Sequence, residues 1–364
     1  MAKPIALYDL SYDQLADLLA GWGEPRFRAG QVWNWLYRSL VSDFQAMGNL
    51  PSALRARLST ETVLSPLTPI AEQASALGQT RKVLFQLPDG QTVETVLMLY
   101  YDRRTACIST QVGCGMQCTF CATGQGGLAR NLSAGEIVAQ VIHLAREIRA
   151  ADVDQAQVLG QRATLDVHPV SNIVLMGMGE PLANFAATWK AIETLTDDRG
   201  YNLSARKITL STVGLVPGIR QLTKKDLPVN LAVSLHAPND ELRNQLVPIN
   251  QRYPLADLMA AVQEYAGKTR RRITIEYALM AGVNDGLDQA RQLSDLLQGL
   301  LCHVNLIPLN PTPDSPLKPS PREQVDAFCA ALEGAGIPTT VRVRRGLDIQ
   351  AGCGQLRQRQ GATS

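Results

Sequence analysis

The chain has 364 residues, 45% of them hydrophobic and 19% charged, with a formal net charge of +2. That length favours about two domains, or one large α/β barrel with an added module, and either buries a substantial core. The charge balance excludes a globally basic surface, so any contact with nucleic acid must use local basic patches. No apolar run approaches the roughly 18 residues of a membrane span, and the opening MAKPIALYDLSYDQL lacks a basic stretch followed by an apolar one. The expectation is a cytosolic protein without membrane contact. Of the seven cysteines, three are clustered, which in a reducing compartment points to metal binding or catalysis before a disulfide framework.

Residues 1–65 read as a small α-helical domain. Ser11 is a helix N-cap ahead of Leu15, Leu18 and Leu19 at helical spacing. A second helix is signalled by Phe27–Arg38, where aromatic and basic residues interleave, and a third follows Leu50-Pro51. The aromatic residues Trp33, Trp35 and Tyr37 admit two readings, core packing or a base-stacking surface.

Residues 66–103 read as a polar connector followed by a β-hairpin, with arms at 81–87 and 93–100 around Pro88-Asp89-Gly90-Gln91. Alternation puts Glu94 on the face shared by Val96, Met98 and Tyr100. A carboxylate on an apolar face is costly unless it is paired or held near neutrality, and the latter is what a proton-transfer residue needs. A solvent-facing glutamate at a strand end is the other reading.

Next comes Cys114-Gly115-Met116-Gln117-Cys118-Thr119-Phe120-Cys121, three thiols within eight residues. Four thiolates would close a zinc site or saturate an iron-sulfur cluster, whereas a compact triplet suggests a 4Fe-4S cluster with one iron open to a small molecule. A structural zinc site completed by a distant His or Cys is the alternative.

From Cys107 to about residue 345 the chain alternates β-rich runs with helical segments, as βα units on a parallel sheet do. Strands are predicted at 106–110, 172–176, 207–211, 230–234, 272–277 and 304–308, and helices beginning near Ser133, Asn184, Gly214, Asp240, Gly286 and Glu323. Residues 149–170 read as a polar insertion. Six units are too few for a closed eight-stranded barrel and suit a partial (βα)6 barrel over 104–345. Barrel ligands lie at the C-terminal ends of the strands. Those ends carry Gly177-Met178-Gly179-Glu180-Pro181, Ser211-Thr212, Ser234-Leu235-His236 and Asn310. Cys302 and Cys329 sit in apolar contexts and read as buried small residues. Cys107 lies on the strand feeding the cysteine loop, and Cys353 lies between glycines in a C-terminal tail, 346–364, that could bring a thiol to the site.

The run RTACISTQVGCGMQCTFCATGQGGLARNL, Arg104 to Leu132, resembles the radical S-adenosylmethionine (SAM) enzymes, and among them the adenine-C2 methyltransferases that act on 23S rRNA and, in some members, on tRNA. The resemblance extends over nearly the whole chain, and GEPRFRAGQVWNWLY is similar to the family's accessory RNA-binding module. It implies an α/β fold of the radical SAM partial-barrel type, with Cys114, Cys118 and Cys121 on a 4Fe-4S cluster. Gly179 and Glu180 would hold the SAM methionine group, and Ser211, Ser234, Leu235 (through its backbone), His236 and Asn310 its ribose and adenine. Cys353 would accept a methyl group, Cys107 would resolve the covalent RNA adduct by forming a disulfide with Cys353, and Glu94 would remove the adenine C2 proton. An external electron donor completes the set. The family usually has Ala-Ala before the C-terminal cysteine where this chain has Ala351-Gly352. The C8-methylating branch shares both cysteines, but RNLSAGEI and RRGLDI look more like the C2 branch. A radical SAM enzyme of another kind and a zinc-stabilised RNA-binding protein are the competing readings.

Overall fold

The structure, a computed structural model, describes residues 4–158, 168–312 and 315–357. Near the N-terminus, helices α1 (Tyr12–Gly21), α2 (Phe27–Asn34) and α3 (Ser52–Glu61) pack together, and the short strands β1 (Ile5–Ala6) and β2 (Thr62–Val63) pair in parallel to join the two ends of the segment. The Ser11 cap is a full capping box: its hydroxyl accepts from Gln14 N at 3.2 Å and its amide donates to Gln14 Oε1 at 2.9 Å. Trp33 and Tyr37 are buried with ring centroids 4.4 Å apart, so these two aromatics are packing residues. Trp35 is half-buried and donates to Asn49 Oδ1.

The rest of the chain is organised on one ten-stranded sheet. Strands β3 (Thr68–Ala74), β4 (Thr80–Gln86) and β5 (Thr92–Leu99) are antiparallel, with the β4–β5 turn closed by Leu87 N donating to Gln91 O. Strand β5 pairs antiparallel with β6 (Arg104–Cys107), so the hairpin continues the barrel sheet. A small hairpin of β7 (Gln111–Gly113) and β8 (Leu128–Asn131) flanks the cysteine loop, which ends in the short helix α4 (Ala122–Gln125). Helix α5 (Ala134–Val158) then leads to β9 (Asn172–Leu175), beside β6.

From there the βα pattern holds: α6 (Phe185–Thr196), β10 (Ile208–Thr212), α7 (Val216–Thr223), β11 (Asn230–Ser234), α8 (Asp240–Leu246), α9 (Leu255–Thr269), β12 (Ile273–Leu279), α10 (Leu287–Leu297), β13 (Cys302–Pro308), α11 (Arg322–Gly334) and β14 (Thr339–Val341). Within the ten-stranded sheet, β6 and β9 to β14 pair only in parallel with one another. The partial radical SAM barrel expected from sequence is therefore present, extended at one edge by β14 and at the other by the three antiparallel strands.

Four details differ from the sequence reading. The polar connector is strand β3, exposed at every position because it is the sheet's edge. β14 has only three residues, too short for alternation to register. Two helices, not one, follow β11. Helix α5 continues to Val158, through the first part of the expected insertion; residues 159–167 of that insertion lie outside the described residues.

Beyond β14 the chain crosses to the antiparallel side. Arg342 N donates to Leu306 O on β13, Arg345 donates to Gln79 Oε1 and Leu99 O, Asp348 accepts from Ala76 N, and Lys82 Nζ donates to Gln350 O. The tail then enters the barrel mouth. Ala122 N donates to Gly354 O, Thr123 Oγ1 to Leu356 O, and Arg357 N to Glu94 Oε2. Among the described residues no helix is long and apolar enough to cross a membrane.

Candidate active site

A cavity opens at the C-terminal ends of the parallel strands, where barrels bind ligands. One wall carries Cys114, Cys118 and Cys121. The loop that bears them is pinned at several points: Cys114 N donates to Gly127 O (2.7 Å), Thr119 N to Leu246 O (3.1 Å) and Cys121 N to Cys118 O (3.2 Å), while Gln117 turns through a left-handed φ of 55°. Gly124 is needed beside it, because a Cβ there would lie 3.0 Å from Cys118 N.

The strand ends supply the other walls. Gly179 has φ 103°, and a Cβ there would lie 2.6 Å from Gln111 Cβ and 2.8 Å from Gln111 N, so only glycine fits. Glu180 is 2% exposed. Its Oε1 accepts from Leu182 N (3.0 Å) and its Oε2 from Val213 N (2.9 Å), yet burial still pushes its pKa up to about 7. The carboxylate is fixed in position and lacks a cation. Ser211 and Ser234, on neighbouring strands, hold their hydroxyls 3.4 Å apart. His236 adopts φ 61°, accepts from Ala278 N at Nδ1 (2.9 Å) and meets the Phe120 ring edge-on at 4.6 Å. Burial lowers its pKa to about 3, so it is a neutral acceptor. Leu235 is fully buried and does not line the cavity; its amide donates to Glu276 O and its carbonyl accepts from Arg243 Nε.

Asn310 and Cys353 close the cavity on the tail side, with Asn310 Nδ2 donating to Cys353 O at 3.0 Å. Gly352 belongs to this contact: a Cβ there would lie 2.6 Å from Asn310 Nδ2 and 2.7 Å from Gln355 Oε1. The departure from Ala-Ala thus makes room for two side-chain amides. Cys353 is exposed as a residue but its sulfur lies in enclosed surroundings, Cys107 is half-buried, both are free, and Cys353 is near enough to influence the ionisation of Cys107. Burial pushes Cys107 up to about 12 and also raises Cys353, with Arg342 opposing the shift at both. Neither Cys107 nor Glu94 lines the cavity. Glu94 is 1% exposed, paired with Lys82 Nζ at 3.1 Å and covered by Arg357 N.

Among the described residues no group of three or more His, Cys, Asp or Glu side chains is placed to hold a metal ion as it stands. The fit of an iron-sulfur cluster lies in the donor set and the room beside it. Three thiols of one loop face an open cavity, and burial holds Cys114 (pKa about 12) and Cys118 protonated until a metal takes their protons. SAM, which the resemblance implies, would find complementary groups next to them: among the described residues Glu180 has no cation paired with it, the neighbouring serine hydroxyls suit a ribose diol, and Asn310 Oδ1 is buried without a hydrogen-bond partner, suiting an amino donor.

Comparison with known proteins agrees. Residues 5–64 match the model of the ribosomal RNA large subunit methyltransferase N-terminal domain, and residues 108–293 that of the radical SAM superfamily. The probable dual-specificity RNA methyltransferase RlmN of Chloroflexus aurantiacus is 53% identical over 356 residues, covering 96% of this chain and 92% of that one. The chain belongs to the RlmN family. The Bacillus subtilis RlmN is 44% identical across 98% of this chain and 93% of its own. The crystal structure of a radical SAM methyltransferase from Sphaerobacter thermophilus superimposes with a TM-score of 0.90 at 52% identity, covering 97% of this chain and 99% of that one.

Several residues that build this RlmN-family site gave no sequence signal. Gln111 donates to Asn131 Oδ1 at 2.7 Å and accepts from Glu180 N at 2.7 Å, orienting that loop. Arg243 is wholly buried and joins the ends of β10 and β11 through Val213 O and Leu235 O. Glu276, in the cavity wall, accepts from Asn305 Nδ2 at 2.8 Å. The signal available was position: Glu276 lies within a strand whose other residues are almost all apolar.

Proposed function

We propose that this RlmN-family protein methylates C2 of an adenine in 23S rRNA, and in tRNA, with Cys353 as the methyl carrier. The observation that carries the reading is that the tail delivers Cys353 to the same cavity that the three loop cysteines line, with Cys107 as its neighbour. Adenine C2 is not nucleophilic, so direct polar transfer from SAM would fail. The cluster and SAM, when bound, supply the one-electron chemistry that such a position needs.

The protein's part is to bind, orient and relay. Cys114, Cys118 and Cys121 would hold the cluster. Gly179, Glu180, Ser211, Ser234, His236 and Asn310 would hold SAM, with the neutral His236 offering no competing charge; Leu235, off the cavity with its backbone bonded to Glu276 and Arg243, would only support the wall. Cys353 receives the methyl group through its sulfur. Once the methyl carbon carried by Cys353 is bonded to adenine C2, Cys107 would attack the Cys353 sulfur, forming the Cys107–Cys353 disulfide as the bond from that sulfur to the methylated adenine breaks; an external reductant must reopen the disulfide. Glu94, whose Oε2 accepts from Arg357 N, is assigned the ring proton. Glu276, in the cavity wall, is the second carboxylate available for it. The work is cytosolic, where the RNA and a low-potential electron donor are found.

Anaerobic cluster reconstitution, incubation with SAM, a reductant and 23S rRNA or tRNA, and mass spectrometry of the nucleosides test the proposal. 2-Methyladenosine is expected; 8-methyladenosine would move the chain to the other branch, and no methyladenosine would overturn the reading.

A further inference from the structure

A second cleft meets the cavity at Cys353. It shares Ile307, Asn310 and Cys353 with the larger cavity, so these three residues form a common wall. Its remaining walls are of another chemistry. In place of loop thiols they carry Tyr100, Arg342, Arg344 and Arg345. The Tyr100 ring is flanked by two guanidiniums, Arg103 at 4.1 Å and Arg345 at 4.5 Å from its centroid. Arg345 is held there by Gln79 Oε1 at 2.8 Å, and Arg103 carries a counter-charge from Asp102 at 3.1 Å. Next in sequence, Tyr101 is fully exposed, and Val343 on the facing segment is 75% exposed.

An exposed tyrosine next in sequence to an arginine-flanked one that lines the cleft is the pattern that takes single-stranded nucleic acid: a base stacks on the free Tyr101 ring while cations meet the backbone. A duplex could not present a base to Cys353 here, so the nucleotide must be unstacked first. We propose that this cleft, and not the cluster-side opening, admits the target nucleotide of the RNA, with Tyr101 stacking a neighbouring base and Arg103, Arg344 and Arg345 meeting its phosphates. SAM and RNA then reach Cys353 through different openings, and neither has to leave for the other to enter. The inference rests on the reading of the chain as an RNA methyltransferase and adds where that RNA sits.

The test is fluorescence anisotropy of the cluster-loaded protein with a labelled RNA hairpin carrying an unpaired adenine. Tyr101→Ala and Arg344→Gln, both at exposed positions, are compared with Arg291→Gln, an exposed arginine on α10 paired with Asp288. Tyr101→Ala is expected to weaken binding by roughly tenfold or more, Arg344→Gln to lower the slope of log affinity against log salt by about one, and Arg291→Gln to bind as wild type. Wild-type affinity and salt slope in both cleft variants, in a preparation whose wild type methylates RNA, would overturn the proposal. A wild type that methylates no RNA removes the underlying reading instead, which is a distinguishable result.

Discussion

Glu94 Oε1 lies 3.1 Å from Lys82 Nζ on the adjacent strand, with the two side chains 1% and 3% exposed. A glutamate that the alternation of β5 turns to the apolar face thus faces a lysine on the neighbouring strand and is not isolated there. Removing one partner of such a buried pair strands the other, which costs about 3–5 kcal/mol. Lys82→Met is expected to destabilise the protein by that order in urea unfolding, and Lys82→Met with Glu94→Gln to recover most of the loss.

The Glu180 carboxyl carries a pH signature. Its pKa rises from 4.5 to about 7 in the folded protein, so the folded state holds the proton more tightly than the unfolded one. The resulting stability is complete below about 4.5 and is lost as pH climbs to about 7, on the order of 3 kcal/mol at about 1.4 kcal/mol per unit. Glu180→Gln should flatten that fall in ligand-free protein, followed as the wild-type-minus-variant difference in melting temperature across the window. A bound sulfonium ligand with a free ammonium should restore wild-type stability at pH 8, and the variant should show no such gain.

The two tail-side thiols are expected to fail differently. Cys353→Ala should leave the protein without any methyl mark by intact-mass analysis and without product. Cys107→Ala should take the methyl group on Cys353 and then stall with RNA attached, visible as a slow-migrating band on a denaturing gel that nuclease digestion removes.

Gly179→Ala places a methyl group 2.8 Å from Gln111 N at a φ of 103°. The loop must shift, taking Glu180 with it, since Gln111 Oε1 accepts from Glu180 N. The expected outcome is weaker SAM binding by at least tenfold in calorimetry, with cluster iron content retained because the cysteine loop is anchored elsewhere.

The parallel barrel was legible because each βα unit repeats one pattern, and the cysteine loop because three thiols at close spacing serve few purposes. The strand ends were legible too, since Ser211, Ser234 and Asn310 each follow an apolar run at the place where barrels bind ligands. What escaped was of two kinds. Strand β3 is an exposed edge with no apolar face to betray it. Arg243, Gln111 and Asn284 act through neighbours distant in sequence; Asn284, for example, is fully buried and donates to the carbonyls of both His236 and Ala278. Gly352 stands in the sequence only as a departure from the family's Ala-Ala, and the structure sets it against the Asn310 and Gln355 amides, a contact that spacing alone could not supply.

The thiol proposed to carry the methyl group sits on a strap, not on the scaffold. Between β14 and Cys353 the chain runs past Arg342, Arg344 and Arg345, and Arg344 stands exposed. A trypsin nick there would leave every barrel strand covalently intact, while Cys353 would be retained by noncovalent bonds alone, among them those to Ala122, Thr123, Glu94, Lys82 and Asn310. Occupancy of the cavity and resistance of that one peptide bond to cleavage should therefore rise and fall together, making protease lability a readout of whether the carrier is docked.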